Sequence, residues 1–177
     1  MIPFRNHPPT PRLPEGYRTE TEPPEPEELN GLLMACGEAR RDERRLALVL
    51  ERSAWQLCVR DSHGRLVGFV RATSDQALNA NLWDLSAWPR EPQQATVLAV
   101  LVHGALTRLR RELSGCSISV AAPPEALSAL QQHGFLVDPG GIRAMGLVLS
   151  SREEHQPEEP NEASMEGLEP PTFRTGI

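Results

Sequence analysis

Few residues in this chain have both the type and the surroundings for chemistry. Two of its five histidines lie in segments that read as helices, His103 between Val102 and Gly104 and His133 just before Gly134. An imidazole exchanges a proton near neutral pH and so serves as acid or base. Against that role, His103 reads as part of a helix face and His133 as a helix-end residue. Asp84 closes the string NLWD at 81–84, where a carboxylate can draw a proton through a water or simply sit in a strand or turn. Cys36, Cys58 and Cys116 show neither CxxC nor Cys/His spacing. That argues against a disulfide framework and a zinc site, and they read as small buried hydrophobes. No metal site is expected. Tyr17 is the only tyrosine.

The elements that must position these groups follow from periodicity. Tyr17 to Glu22 suits a short strand. Pro26, then Glu27 and Glu28, open a helix whose apolar stripe is Leu29, Leu32, Leu33 and Cys36. The RRDERR run at 40–45 reads as a solvated helix end or loop. Alternation over 55–60, turn residues at 61–64 and LVGFV at 66–70 predict a hairpin, with a third strand at 81–88 stopped by Pro89. Leu98, Leu101, Val102, Ala105, Leu106, Leu109 and Leu113 then mark one face of a long helix. A strand at 116–120, a helix at 123–133 ended by Gly134, and a closing hairpin complete the order β-α-βββ-α-β-α-ββ. The class is α/β (α+β), with a mixed, partly parallel central sheet and helices on both faces.

Proline and charge set the boundaries. Eight of 17 prolines fall in residues 1–26 and four in 151–177. Both ends are expected to be extended or disordered, which leaves one folded domain over 15–150 between a proline-rich tail (1–14) and an acidic tail (151–177). The net charge of −6 comes mostly from the second tail, with seven acids and two arginines. The middle is nearly balanced, so a nucleic-acid face is not expected. No window approaches the length of a membrane span, and the start lacks an apolar leader, so the expected location is the cytoplasm.

Two blocks carry a resemblance. GRLVGFVRATSDQALNANLWD (64–84) is similar to G-R-L-V-G-F-x-R-A-T-S-D-x-A-x-N-A-x-I-W-D, and HGFLVDPGGIRAM (133–145) resembles L-G-F-x-x-D-P-x-G-I-K-x-M. The chain thus resembles the GNAT acyltransferase superfamily, and more closely its cyanobacterial and plastid branch related to serotonin N-acetyltransferases. The resemblance covers about 15–150 and implies an acetyl-CoA-dependent N-acetyltransferase in which an amine attacks the thioester directly. Acetyl-CoA would lie along Leu85, Ser86 and Ala87. Its pyrophosphate would rest on the backbone at Gln93, Gln94, Ala95, Thr96 and Val97, where a helix N-terminus suits an anion.

The chain departs from the family in two places. The family loop Q-x-x-G-x-G/A falls on Pro92 to Val97, with Pro92 for the glutamine and Ala95 and Val97 at the glycines. Val97 is expected to crowd the phosphates. The tyrosine of F-Y-x-x-L-G-F, a proton donor to the leaving thiolate, is replaced by Leu130. No catalytic residue is therefore assigned, with Asp84 and His133 as candidates. The expected partner is a small-molecule or protein amine, with no nucleic acid or membrane, and the protein is read as a monomer or homodimer. The alternative is a catalytically inactive GNAT-like binding module.

Overall fold

Alternating apolar and polar positions carry the chain into a sheet three times in succession. The computed structural model describes residues 9–137. β1 (Arg18–Glu20) pairs with β2 (Trp55–Arg60), which forms the expected hairpin with β3 (Leu66–Ser74). Asp61 builds its turn by accepting from the amides of His63 and Arg65, while Gly64 takes φ +82°. β4 (Asn79–Ala87) is antiparallel to β3. After the crossover helix α3 (Gln94–Glu112), β5 (Ser117–Val120) joins β4 in parallel. The order β1-β2-β3-β4-β5 gives the mixed sheet that the sequence implies.

Helices cover both faces. On one, α1 (Pro26–Ala35) and α2 (Glu43–Arg52) bury Leu29, Leu32, Leu33, Leu46 and Leu50 with Cys58 and Phe69 of the sheet. On the other, the leucine face of α3 and Leu130 of α4 (Leu127–Gln132) pack with Val59, Val70 and Ala72. Each fully buried leucine contributes about 1.5–3 kcal/mol of transfer free energy, so the stripes read from sequence are what hold the helices down.

The order differs from expectation at two points. The RRDERR run does not end a helix; it starts one. Asp42 accepts from the Arg45 amide at 2.9 Å and caps α2, whose Leu46 and Leu50 meet the sheet one turn apart. The continuous run LALVL hides that spacing, because an unbroken apolar string has no period of its own. The segment from Pro123 begins as a 3₁₀ turn over Pro124–Ala126 before α4, which Gly134 ends at φ +92°. Of the closing hairpin, expected from Phe135, only residues 135–137 are described and they form no strand; the rest of it and the acidic tail lie outside the described residues. No helix among the described residues is long and apolar enough to cross a membrane.

Candidate active site

β4 and β5 pair from Asn79 with Ser117 to Leu82 with Val120, and no further. β4 continues to Ala87, so Trp83–Ala87 has an unpaired side among the described residues. β5 cannot follow it, because Pro123 and Pro124 lack the amides that a ladder needs. A bulge sharpens the divergence. Phe69 opposes Ser86 and Arg71 opposes Trp83, so Asp84 and Leu85 together face Val70. Asp84 takes up the extra residue at φ +54°, a left-handed conformation that aspartate tolerates better than most side chains.

The ladder also decides where the backbone groups point. The Trp88 amide donates to the Val67 carbonyl at 2.8 Å, which makes Val67/Trp88 a hydrogen-bonded pair, and Phe69/Ser86 two residues away another. Leu85 and Ala87 alternate with these and so turn their N–H and C=O groups to the open side. Here lies a cavity of about 320 Å³, lined by Cys36, Leu85, Ser86, Ala87, Gln94 and Glu125 among others. The Ala87 carbonyl accepts from Cys36 Sγ at 3.4 Å and Gln94 Nε2 at 3.3 Å.

The cysteines correct the reading as buried hydrophobes. Only Cys58 is buried; Cys116 is half-buried and Cys36, at the end of α1, is exposed. Partial burial of its sulfur pushes the Cys36 thiol up from its ordinary value. The nearby carboxylates of Glu125 and Glu38 add to the rise, and the Ser86 hydroxyl opposes it. Cys36 ends the α1 stripe at i+7, so periodicity alone assigned it to the core. The sheet has already diverged at that end of the helix.

The start of α3 offers the second feature. Gln93 is its N-cap residue, and the Thr96 hydroxyl donates to the Gln93 side chain at 3.3 Å. The amides of Ala95 and Thr96 take no acceptor among the described residues, while that of Val97 already donates to the Gln93 carbonyl. The Val97 side chain does not crowd this end. It is fully buried against Gly68, where even a Cβ on Gly68 would come within 2.4 Å of Val97 Cγ1. The preceding turn is braced by Glu91, 5% exposed, which accepts from the Tyr17 hydroxyl at 2.6 Å and pairs with Arg65 at 3.3 Å. The hydrogen bond to Glu91 raises the Tyr17 phenol above its usual value.

Neither candidate catalytic residue lines this cavity. Asp84 is clasped by Arg71 at 2.6 Å and Arg41 at 3.0 Å. His133 borders a separate depression with Cys116 and Phe135, its ring 5.7 Å from that of His103. Leu130 is buried in the core. Asn30, fully buried, was not anticipated: its side-chain amide donates to the Arg41 carbonyl at 2.9 Å and accepts from the Arg41 amide at 3.0 Å. That pair holds the α1–α2 connection at Arg41, which in turn reaches Asp84. Asn30→Ala is expected to lower stability by about 1–2 kcal/mol in urea denaturation, because both Arg41 backbone groups lose their partner.

The chain matches no protein-family model. It is 34% identical over 122 residues to the uncharacterized N-acetyltransferase ycf52 of Porphyra purpurea, covering 67% of this chain and 68% of that one. It is 32% identical to the chloroplastic serotonin N-acetyltransferase 2 of Oryza sativa, over 71% of this chain and 63% of the relative. Among solved structures, a Staphylococcus aureus protein described as a probable acetyltransferase superposes with a TM-score of 0.68. It shares 15% identity and is covered over 99% of its length, against 75% of this chain. The GNAT family N-acetyltransferase YhbS of Escherichia coli, solved with CoA, gives 0.50 at 18% identity, over 70% and 71% of the two chains.

Proposed function

We propose, because this chain belongs to the GNAT N-acetyltransferase family, that it moves an acetyl group from acetyl-CoA to an amine, with the thioester held along the diverging end of β4. The observation that carries this reading is the stretch Leu85–Ala87, which has no strand partner on the cavity side among the described residues and whose Ala87 carbonyl is held there only by side chains, Cys36 Sγ and Gln94 Nε2. An extended pantetheine arm has amides at a spacing that such an edge can bond as a strand would. The cavity accepts the acyl end, and Ser86 and Gln94 supply polar side chains at its wall. The free amides of Ala95 and Thr96, with the positive end of a helix of 19 residues, suit the pyrophosphate. Gln93 and Gln94 flank them, and Val97 contributes only by seating the helix on Gly68.

The chemistry is direct. The amine nitrogen forms a C–N bond to the acetyl carbon, the C–S bond breaks, and CoA leaves as its thiol. The protein's share is to hold the two reactants in line and exclude water. Leu130 supports a slow enzyme, since a buried leucine cannot protonate the departing sulfur and general acid help is worth about 10²–10⁴ in rate. The same residue supports the second reading, a GNAT-like module that binds without catalysis.

Titration of the full chain with acetyl-CoA by calorimetry tests the assignment. Micromolar binding is expected, with free CoA binding comparably. No heat at millimolar acetyl-CoA would overturn both the transferase and a cofactor-holding module. Binding without thiol release across an amine panel would leave the module.

A further inference from the structure

Among the described residues, Glu125 is the one carboxylate that lines the cavity. It is the middle residue of the 3₁₀ turn Pro124–Ala126, and Pro123 and Pro124 fix the backbone ahead of it. It is exposed and makes no ion pair among the described residues. The neighbouring carboxylates are otherwise engaged. Glu38 is paired with Arg41, and Asp84 is held by Arg41 and Arg71. Glu125 and Cys36 line the same cavity, and the Glu125 carboxylate is among the charges that raise the Cys36 thiol. Every other described residue on that wall is neutral: Cys36, Ser86, Gln94 and apolar side chains among them.

We propose that Glu125 is the specificity-determining residue for the acceptor: the cavity selects a primary ammonium group, which Glu125 holds by charge and from which it takes one proton. The N–H bond of the ammonium breaks, its electron pair stays on nitrogen as the free amine, and the proton moves to a Glu125 carboxylate oxygen. A neutral nucleophilic amine then stands beside the end of the cavity where Leu85 and Ala87 face. This rests on the transferase reading for its use, but not for its test.

Cys36 reports the field of Glu125 without any turnover. In the full chain, Cys36 is labelled with 2-aminoethyl methanethiosulfonate, which carries a primary ammonium, and separately with the anionic 2-sulfonatoethyl reagent. Each forms a disulfide to Sγ and releases methanesulfinate, and rates are read by mass spectrometry of the Cys36 peptide. Cys116, whose depression is lined by Arg110 and, among the described residues, by no carboxylate, serves as a reference of opposite charge, and Cys58 is buried. The cationic-to-anionic rate ratio at Cys36 should exceed that at Cys116 by about tenfold, since one nearby charge speeds one reagent and slows the other. Glu125→Gln should lower the ratio at Cys36 by about tenfold and leave that at Cys116 unchanged, while Glu125→Asp should keep most of the Cys36 ratio. Taking the ratio cancels any change in thiol reactivity. A ratio at Cys36 unmoved by Glu125→Gln, or equal to that of Cys116 in the unaltered chain, overturns the proposal. Because labelling needs no acetyl-CoA, a failed acetyl-CoA titration would sink the transferase reading and leave this result standing.

Discussion

Replacing Asp84 by alanine should cost about 3–5 kcal/mol of folding stability, read as a lower denaturation midpoint with an unchanged slope. The size follows from what remains. The Asp84 side chain is 7% exposed and Arg71 13%, so removing the carboxylate leaves a guanidinium nearly out of water without a counter-charge. Arg41, at 35%, can turn to solvent and keep Glu38. Asp84→Asn should lose nearly as much, because it keeps the tolerance for positive φ but not the charge. The double variant Asp84→Ala/Arg71→Met should recover most of the loss, since two apolar groups need no partner. A single variant as stable as the parent would mean that the clasp contributes nothing. The site has a stake in this result, because the bulge at Asp84 turns Leu85 and Ala87 toward the cavity.

Gly68→Ala should be the second large effect, about 2–3 kcal/mol of destabilisation from one added methyl group. That Cβ would stand 2.4 Å from Val97 Cγ1 and 3.0 Å from Leu101 Cδ1. A β-branched side chain in a helix has essentially one rotamer, so Val97 cannot swing aside and the start of α3 must lift. The free amides of Ala95 and Thr96 move with it, and acetyl-CoA affinity should fall at least tenfold, a loss of about 1.4 kcal/mol in binding. Val97→Ala in the Gly68→Ala background restores the space and should return both stability and affinity toward the parent. If the double variant stays as weak as the single one, contact with Val97 is not the reason for the glycine.

Much of the fold was legible because the elements that matter most carry a period. The leucine face of α3, the hairpin of β2 and β3 and the end of α4 at Gly134 each repeat a local signal often enough to be read. α2 was missed because its two buried leucines sit in an unbroken apolar run. Cys36 misled for the opposite reason: it completes a helical stripe at a point where the sheet beneath has parted. Val97 misled because an alignment position says nothing of which way a side chain points. Glu125 follows two prolines, a signal for a helix start, and nothing nearby marks it as the carboxylate of a cavity.

The sequence by itself determined the order of most elements, and its resemblance to the family pointed to Leu85–Ala87 as the cofactor stretch and to Leu130 in the place of the family's tyrosine. The elements rest on periods of two and 3.6 and the resemblance on motif residues, which are local quantities. Only the tertiary structure decided which groups share the site. Cys36, Ser86, Gln94 and Glu125 come from four separate segments and meet because β4 outruns β5. It also decided that Asp84 is held between two arginines and that His133 lies elsewhere. Such juxtapositions are long-range consequences of how the helices seat on a diverging sheet, and no local pattern encodes them.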